Sequence, residues 1–402
     1  MKDTIAIANS SLPMQGGKEG LNKSLPMQGG LEGLFFELLQ VAIGNRKELT
    51  RQLSDDEWAS LYSECEKHAL LGITFCGVER LPKEQFPPFD VAAEWVHDAQ
   101  VAKERNELLS KRCVEVCEYL EHDGFNSCIL KGQSNLPNYL DYLRDYRTAG
   151  DIDVLCWHKN GKHDLMDVIN YAISLNGNQL DNEKIEVLYH HLDWNYKGIP
   201  VEVHFRASYM NDPLYNARFQ KWWKDSCNPL ICELGFPTAS VSFNAVYQLV
   251  HIYRHLFNEG IGLRQLLDYY FVLRALHIEQ RENTTVLSKE AIMTQMKYLG
   301  IDKFASAVMY VLQTVFAMPE AYLLCPSDNK RGRFLLNEIM QAGNFGFFDE
   351  RNVIDVNEGY LKRFIRRQKR FVRFLGQYPS EVIWGPYFTV MQRSWRIMHG
   401  WK

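Results

Sequence analysis

FNSCILKGQSNLPNYLDYLRDYRTAGDIDVL, residues 125–155, is the stretch of the chain that decides its fold. It ends on the pair Asp151 and Asp153, and an extended strand places side chains two residues apart on one face. Ile152 and Val154 then point to the opposite, apolar face. Two carboxylates held side by side repel each other, so a cation is expected between them. Carboxylates supplemented by water and substrate phosphates are the usual ligands of Mg²⁺.

A glycine turn precedes this acidic strand. Residues 127–130 form a short apolar run that predicts a buried strand, and the run continues into Lys131-Gly132-Gln133-Ser134. Glycine at a strand-to-helix turn lets backbone N–H groups approach a phosphate closely. We therefore expect a phosphate contact at Gly132, together with Gln133 or Ser134.

A helix is predicted directly after the turn, over residues 135–143, with its N-terminus facing the same anion. Arg147 follows, four residues before Asp151 and beside a turn closed by Gly150. A guanidinium in this position reaches either the aspartate pair or a phosphate. Strand, glycine turn, helix and second strand together predict a compact site for a nucleotide and a metal ion.

A third acid, Glu202, lies in a later stretch that alternates apolar and polar residues. The alternation places Glu202 and His204 on one face of a strand. Lys197-Gly198 predicts a hairpin turn that returns this strand antiparallel to residues 185–196. An isolated Asp-x-Asp or Lys-Gly occurs by chance in many chains. With Glu202 on a neighbouring strand, however, the sheet makes a three-carboxylate site for two metal ions.

Taken in order, these motifs resemble those of a known family. The ordered set is Leu130-Lys131-Gly132, Arg147, Asp151-Ile152-Asp153, His190-His191 and Glu202-Val203-His204-Phe205, followed by GLRQLLD at 262–268. It is similar to the uncharacterised bacterial nucleotidyltransferase family of the DNA polymerase beta-like superfamily, over roughly residues 35–395. The resemblance implies an α+β fold: a small mixed-sheet, polymerase-beta-like nucleotidyltransferase core flanked by N- and C-terminal helical subdomains.

The resemblance also implies an activity, the Mg²⁺- or Mn²⁺-dependent transfer of a nucleoside monophosphate from an NTP to an acceptor hydroxyl, with release of pyrophosphate. Metal binding and catalysis are assigned to Asp151, Asp153 and Glu202, with Glu202 also accepting the proton of the acceptor. For His190 and His191, a structural hydrogen bond is the alternative to a triphosphate contact. The residues assigned to substrate binding are Lys131, Gly132, Gln133, Ser134, Arg147, His191, His204 and Arg264.

Two alternative functions remain open at this point. A catalytically inactive scaffold would use the same sheet to bind a nucleotide or RNA. A toxin-like nucleotidyltransferase would use the same chemistry on tRNA or on a protein side chain. The sequence contains no acceptor pocket that distinguishes a small molecule, an RNA or a protein as the acceptor.

Composition limits the class of protein. The chain has 402 residues, of which 46% are hydrophobic and 23% charged, as in ordinary soluble globular proteins. A net charge of −4 disfavours nucleic-acid binding by the whole molecule. Nine scattered cysteines indicate reduced, buried thiols and a cytoplasmic location. No apolar run has the length or flanks of a transmembrane segment or a signal peptide.

Four segments are predicted along the chain. The first contains a direct repeat, SLPMQGG, at residues 11–17 and again at 24–30. Two copies cannot build a solenoid, and their glycine content favours disorder. The segments are a disordered leader (1–33), an N-terminal helical subdomain (34–123), the nucleotidyltransferase core (124–236) and a C-terminal helical subdomain (237–402).

Polar patterns recur in the first part of the C-terminal subdomain. Residues 241–257 predict a helix with His251 and His255 one turn apart, but the glutamate that a zinc protease needs after its first histidine is missing. Arg264 and Asp268 share a helical face, and an ion pair between them is the simplest expectation. The resemblance instead gives Arg264 a place in the cleft, where it binds phosphate or positions the nucleotide.

A basic amphipathic helix is predicted at residues 361–375. Its charges surround an apolar stripe, and such a helix can bind RNA or an anionic membrane surface. Packing of the stripe on its own domain, with the charges in solvent, is the more common arrangement and the one expected here. The stripe consists of Leu361, Phe364, Ile365, Val372 and Leu375.

Overall fold

A computed structural model describes residues 30–159, 165–177, 187–282, 286–352 and 359–401. The repeat of the leader, up to residue 29, lies outside these residues, as do residues 185 and 186 of the strand predicted before the hairpin. Helix α1 (Leu31–Ala42) begins inside the predicted leader.

The N-terminal part is helical, as the sequence predicts. Helix α2 (Asp55–Lys67) begins with a capping box, in which the Ser54 hydroxyl accepts from the Glu57 N–H and the Glu57 carboxylate accepts from the Ser54 N–H. The prediction of a capped start is therefore confirmed. Helix α3 (Leu71–Val78) follows. The prolines at 87 and 88 then directly precede α4 (Phe89–His122), a helix of 34 residues.

The described residues contain one six-stranded mixed sheet. Its strands are β1 (Phe125–Ile129), β2 (Ile152–His158), β3 (His191–Tyr196), β4 (Ile199–His204), β5 (Leu230–Ile231) and β6 (Pro237–Thr238). In space they follow the order β3-β4-β2-β1-β6-β5. β1 and β2 run antiparallel, whereas β2 and β4 run parallel. The parallel pair places the ends of two separate strands side by side, which positions the site.

The hairpin predicted before Glu202 is confirmed. β3 and β4 are antiparallel, and Lys197 and Gly198 both have positive φ angles, of 51° and 82°. Two such residues make the hairpin turn that matches the twist of the strands. Helices α4 and α6 (Leu165–Leu175) cover one face of the sheet with apolar side chains, such as Val168 and Ile169 of α6. The carboxylates of β2 and β4 therefore lie on the opposite face.

The helix predicted over residues 135–143 is wrong. Residues 132–138 form a 3₁₀ segment, the chain is extended at Tyr139 and Leu140, and only a short helix, α5 (Asp141–Arg144), follows. Pro137 explains the break, because it donates no backbone N–H and its ring clashes with the preceding turn of an α-helix.

Eight further α-helices in the described residues follow β4 in the chain. They are α7 (Pro213–Ser226), α8 (Val241–Asn258), α9 (Leu263–Glu282), α10 (Lys289–Tyr298), α11 (Asp302–Phe316), α12 (Asn329–Ala342), α13 (Tyr360–Phe374) and α14 (Pro379–Met398). Helix α8 is buried on nearly all sides, including the face that carries Gln248, His251 and His255. That polar face is turned toward the cleft and not toward solvent.

The N- and C-terminal helices share one hydrophobic core. Leu34 and Phe35 of α1 belong to the same buried cluster as Val315 and Phe316 of α11. The Gln40 amide, also on α1, donates to the Val315 carbonyl at 3.0 Å. The cluster thus joins a helix that precedes the strands of the sheet in the chain with a helix that follows them.

The basic helix α13 packs differently from the prediction. Leu361, Ile365 and Val372 of the predicted stripe are exposed, whereas Phe371 and Phe374 are buried. The reason lies in the neighbouring helix: a Cβ on Gly385 of α14 would come within 2.1 Å of the Phe371 ring, so the two helices touch at that face.

The remaining sequence-wide expectations concern membranes and thiols. No helix in the described residues is both long and apolar enough to cross a bilayer. The nine cysteines are free and most are buried, as predicted.

Candidate active site

Asp153 and Glu202 lie side by side because their strands pair in register. In the parallel ladder of β2 and β4, Asp153 lies opposite Glu202. Residues at the same position of neighbouring strands point to the same face. His204 lies two residues farther along β4, and its Nε2 is 3.1 Å from one oxygen of each carboxylate.

Cations compensate this buried negative charge. Lys131 places its Nζ 2.9 Å from Asp153 Oδ1, and Asp153 is only 1% exposed. Burial alone favours the neutral acid, but His191, Lys131 and the hydrogen bond with His204 outweigh it and lower the pKa of Glu202. Burial likewise opposes a charge on His204, yet hydrogen bonds to both carboxylates raise its pKa above the usual value.

Several groups of side chains in the described residues could hold a metal ion. In each group, one ligand atom per residue lies within 4.8 Å of the others. The groups are Asp153, Glu202 and His204; His190, His191 and His204; and His191, Asp193 and Glu202. Asp151 belongs to none of them, although it lies just before β2 and lines the same cleft as Asp153. The structure therefore brings two of the three predicted acids together, with a histidine between them.

The predicted histidines lie at the edge of this group. His191 begins β3, and its Nδ1 is 3.4 Å from Glu202 Oε2 and 3.1 Å from His190 Nε2. The Arg254 guanidinium donates to the same His190 nitrogen at 2.7 Å. Burial and the charge of Arg254 hold the pKa of His190 well below its usual value. His190 is thus a neutral acceptor between His191 and an arginine that the sequence analysis missed.

The glycine turn forms one end of the cleft. Lys131, Gly132 and Asn135 line it, and Gly132 has a φ of 64°. The Gln133 side chain points away, because its amide donates to Asn106 and Ser110 on α4. Of the predicted phosphate-binding residues 132–134, Gly132 is the one that lines the cleft.

Ser134 is also directed into the protein. It is 4% exposed, and its hydroxyl has no hydrogen-bond partner among the described residues. Neither Gln133 nor Ser134 lines the cleft. Their predicted contact with phosphate can then come only from backbone N–H groups.

Arg147 lines the cleft but is held by a partner from α9. Its Nε and Nη2 each donate to one oxygen of Asp268 at 2.7 Å, and the Tyr139 hydroxyl donates to the same carboxylate. The prediction of an ion pair between Arg264 and Asp268 is thus wrong, because both carboxylate oxygens of Asp268 already accept hydrogen bonds from the planar guanidinium of Arg147.

Arg264 has a different environment. Its Nη1 donates to the Thr148 carbonyl at 3.1 Å, and its guanidinium lines the cleft. Burial, together with the charge of Arg147, lowers the pKa of Arg264. Two arginines therefore face the same space as Lys131, but Asp268 compensates Arg147 and Asp153 compensates Lys131. Arg264 instead bonds a backbone carbonyl, so its charge is the one most available to a phosphate.

Several further residues of the cleft were not predicted as site residues from the sequence, among them four from the C-terminal helices and loops. Gln248 and His251 come from the polar face of α8, Gln265 from α9, and Phe345 from the loop after α12. The spacing of Gln248 and His251 on one face of α8 was the available signal. Nothing in the sequence pattern around Phe345 distinguishes it from its phenylalanine neighbours.

The candidate site thus places the buried carboxylate of Asp153, which lines the cleft, and the half-buried carboxylate of Glu202 next to a lysine, two arginines and a glycine turn. Searches of curated proteins and of solved structures found no match. A family profile, described as uncharacterised nucleotidyltransferase, matches residues 54–317. These residues include every strand of the sheet and all the residues proposed from the sequence for the site. The chain belongs to the uncharacterised nucleotidyltransferase family.

Proposed function

We propose that the protein transfers a nucleoside monophosphate from an NTP to an acceptor hydroxyl, and that its sheet is a polymerase-beta-like core. The observation that carries the proposal is the in-register pair of Asp153 and Glu202 beside the turn at Lys131 and Gly132. Such an arrangement puts metal ligands and phosphate ligands a few ångströms apart, as phosphoryl transfer requires.

A divalent cation fits the donor atoms present. Asp153, Glu202 and His204 offer two carboxylate oxygens and one imidazole nitrogen within 4.8 Å of one another, and Asp151 adds a carboxylate at the cleft. Oxygen donors suit Mg²⁺, and Mn²⁺ accepts an imidazole as well. When bound, the cation offsets the charge of the triphosphate and makes the acceptor hydroxyl more acidic.

The residues of the candidate site have separate tasks in this proposal. Glu202 accepts the proton of the acceptor hydroxyl, a role in which position matters more than intrinsic pKa. Gly132 offers its backbone N–H to the outer phosphates. Lys131 and Arg264 offset the charge that develops on the departing pyrophosphate.

The proposal is tested by following a label. The purified protein is incubated with each α-³²P-labelled NTP, Mg²⁺ or Mn²⁺, and cell extract, and the molecule that becomes labelled is identified. Asp153→Asn is expected to lower labelling by at least about 10²-fold, because it removes one of the two paired charges of the site. Asp141→Asn is the matched control, since Asp141 is exposed and lies outside the cleft.

Each result of this experiment has a defined meaning. Labelling of tRNA or of a protein identifies a toxin-like acceptor, and labelling of a small molecule identifies a metabolic one. Full activity in folded Asp153→Asn contradicts the mechanism. NTP binding without labelling of any acceptor by the wild-type protein supports the inactive scaffold instead.

A further inference from the structure

Two loops meet by direct backbone contact at the mouth of the cleft. One is residues 259–262, between α8 and α9, and the other is residues 343–346, after α12. A Cβ on Gly346 would lie 2.0 Å from the Glu259 carbonyl oxygen, and a Cβ on Gly262 would lie 2.9 Å from Asn344 Cα. Only glycine permits such an approach, so the second loop is fixed against the first.

This contact holds Phe345 at the cleft. Phe345 has a φ of 50°, a left-handed conformation that a bulky residue rarely adopts. Its ring centre lies 5.3 Å from the ring centre of His255 and 5.6 Å from the guanidinium carbon of Arg264. The ring is partly exposed and lines the cleft, whereas Phe347, two residues later, is 81% exposed and does not line it.

Two buried amides in the same cleft have donors without an acceptor. The Gln265 oxygen accepts from the Gly262 N–H at 2.6 Å, and the Asn135 oxygen accepts from the Gln248 amide. In each amide the oxygen is thus the atom that is already hydrogen-bonded, and the nitrogens Gln265 Nε2 and Asn135 Nδ2 keep their N–H groups for another acceptor. Neither nitrogen has a partner among the described residues, although Gln265 is 9% exposed and Asn135 1%. Buried donors of this kind are available to the acceptor atoms of a bound ligand or an ordered water.

We propose that Phe345 and Gln265 form the subsite for the nucleobase of the NTP. The proposal rests on the function proposed above. The phosphates lie at Lys131 and Gly132, and the base stacks on the ring of Phe345 and accepts a hydrogen bond from Gln265 Nε2. Every base has a π-face and at least one acceptor atom at its edge, whereas an inorganic polyphosphate has acceptor atoms but no π-face. The Phe345 ring is therefore the feature that distinguishes the two ligands.

The position of Phe345 in the chain gives the proposal a consequence. The family match ends at residue 317, whereas the loop that carries Phe345 begins at Gly343. The base subsite is therefore completed by a segment outside the matched region.

The test compares ligands with and without a base. Binding of ATP, GTP, CTP, UTP and inorganic tripolyphosphate is measured by calorimetry for the full-length wild type and for three variants. Phe345→Ala removes the ring, Phe345→Leu keeps apolar bulk without a π-face, and Phe347→Ala is the matched control on the same loop. Thermal unfolding verifies that each variant is folded.

Phe345→Ala and Phe345→Leu are expected to weaken binding of the preferred NTP by about 5- to 150-fold, the range measured for loss of one base–aromatic stack. Tripolyphosphate binding should stay unchanged, and Phe347→Ala should change neither. Equal weakening of NTP and tripolyphosphate, or no change in NTP binding, overturns the subsite while the proposed function survives. A wild type that binds neither ligand overturns the proposed function itself.

Discussion

The ion pair beneath the cleft offers a demanding test of the structure. Asp268 accepts three hydrogen bonds at 2.7 Å, two from Arg147 and one from the Tyr139 hydroxyl. Arg147 and Asp268 are each 5% exposed. Asp268→Asn keeps the size of the side chain but leaves the guanidinium buried without a counter-charge. An unpaired buried charge costs about 3–5 kcal/mol, so we expect a loss of that size in the free energy of unfolding.

The measurement is equilibrium unfolding in urea, followed by the fluorescence of the tryptophans. The double variant Arg147→Met/Asp268→Leu removes both charges together. Its loss of stability should be smaller than that of Asp268→Asn alone, because no charge remains unpaired in the folded state. Asp141→Asn is the matched control, since Asp141 also pairs with an arginine but its side chain is 97% exposed. That control should change the free energy by less than about 0.5 kcal/mol.

Two outcomes would refute the reasoning. A loss below about 1 kcal/mol for Asp268→Asn would mean that water or another acceptor reaches Arg147. The single variants Arg147→Met and Asp268→Leu complete the comparison, and strict additivity of their effects in the double variant would mean that the side chains do not interact. In either case Arg147 would be available to a phosphate, as the sequence alone suggests.

Two more predictions concern substitutions of single side chains. Burial raises the pKa of Glu381 to about 7. Because the folded chain then holds this proton more tightly than the unfolded chain, stability should fall by up to about 3 kcal/mol as the pH rises from about 4.5 to 7. Glu381→Gln should flatten that dependence in thermal unfolding, and an unchanged pH profile would contradict it. Lys131→Met removes the ammonium group 2.9 Å from Asp153. It should weaken tripolyphosphate binding by about 10- to 100-fold in calorimetry, the cost of one charge-assisted hydrogen bond, and an unaltered affinity would place the phosphates elsewhere.

The sheet was the part of the fold that local sequence could predict. An apolar run identified β1, alternation identified β2 and β4, and the turn at Lys197 and Gly198 identified the hairpin, since these features depend on neighbouring residues only. The two-residue strands β5 and β6 were not predicted. The proximity of Asp153 and Glu202 followed from placing the two acids on neighbouring strands of one sheet. These predictions needed no knowledge of distant contacts.

The orientations of Gln133 and Arg147 could not be predicted in the same way. Gln133 turns away because α4 offers it acceptors 23 to 27 residues earlier in the chain. Arg147 is held by Asp268, which lies 121 residues later, and an intrahelical partner for Asp268 was equally consistent with the sequence. When a polar side chain has several possible partners, the tertiary fold decides which of them it contacts. The local sequence pattern does not contain that information.

The basic helix α13 shows a related limit. The spacing of its apolar residues suggested one buried stripe, but the fold buries Phe371 and Phe374 and also Arg370, which pairs with Asp349. Because Asp349 compensates its charge, Arg370 can be buried. The helix then faces the core with Arg370, Phe371 and Phe374, and most of the apolar stripe is exposed to solvent. Periodicity alone cannot anticipate an ion pair of this kind.

The shared core of the terminal helices affects how the chain folds during synthesis. Gln40 of α1 and Val315 of α11 are hydrogen-bonded across 275 residues. At about 5–20 residues per second, the ribosome delivers the second partner about 14–55 s after the first. Until then the part of α1 that packs on α11 has no permanent cover, whereas α3 already packs against Leu38 and Ala42 of α1. The nascent chain therefore carries a surface of the kind that chaperones bind, and its N-terminal helices are completed only when most of the protein has been made.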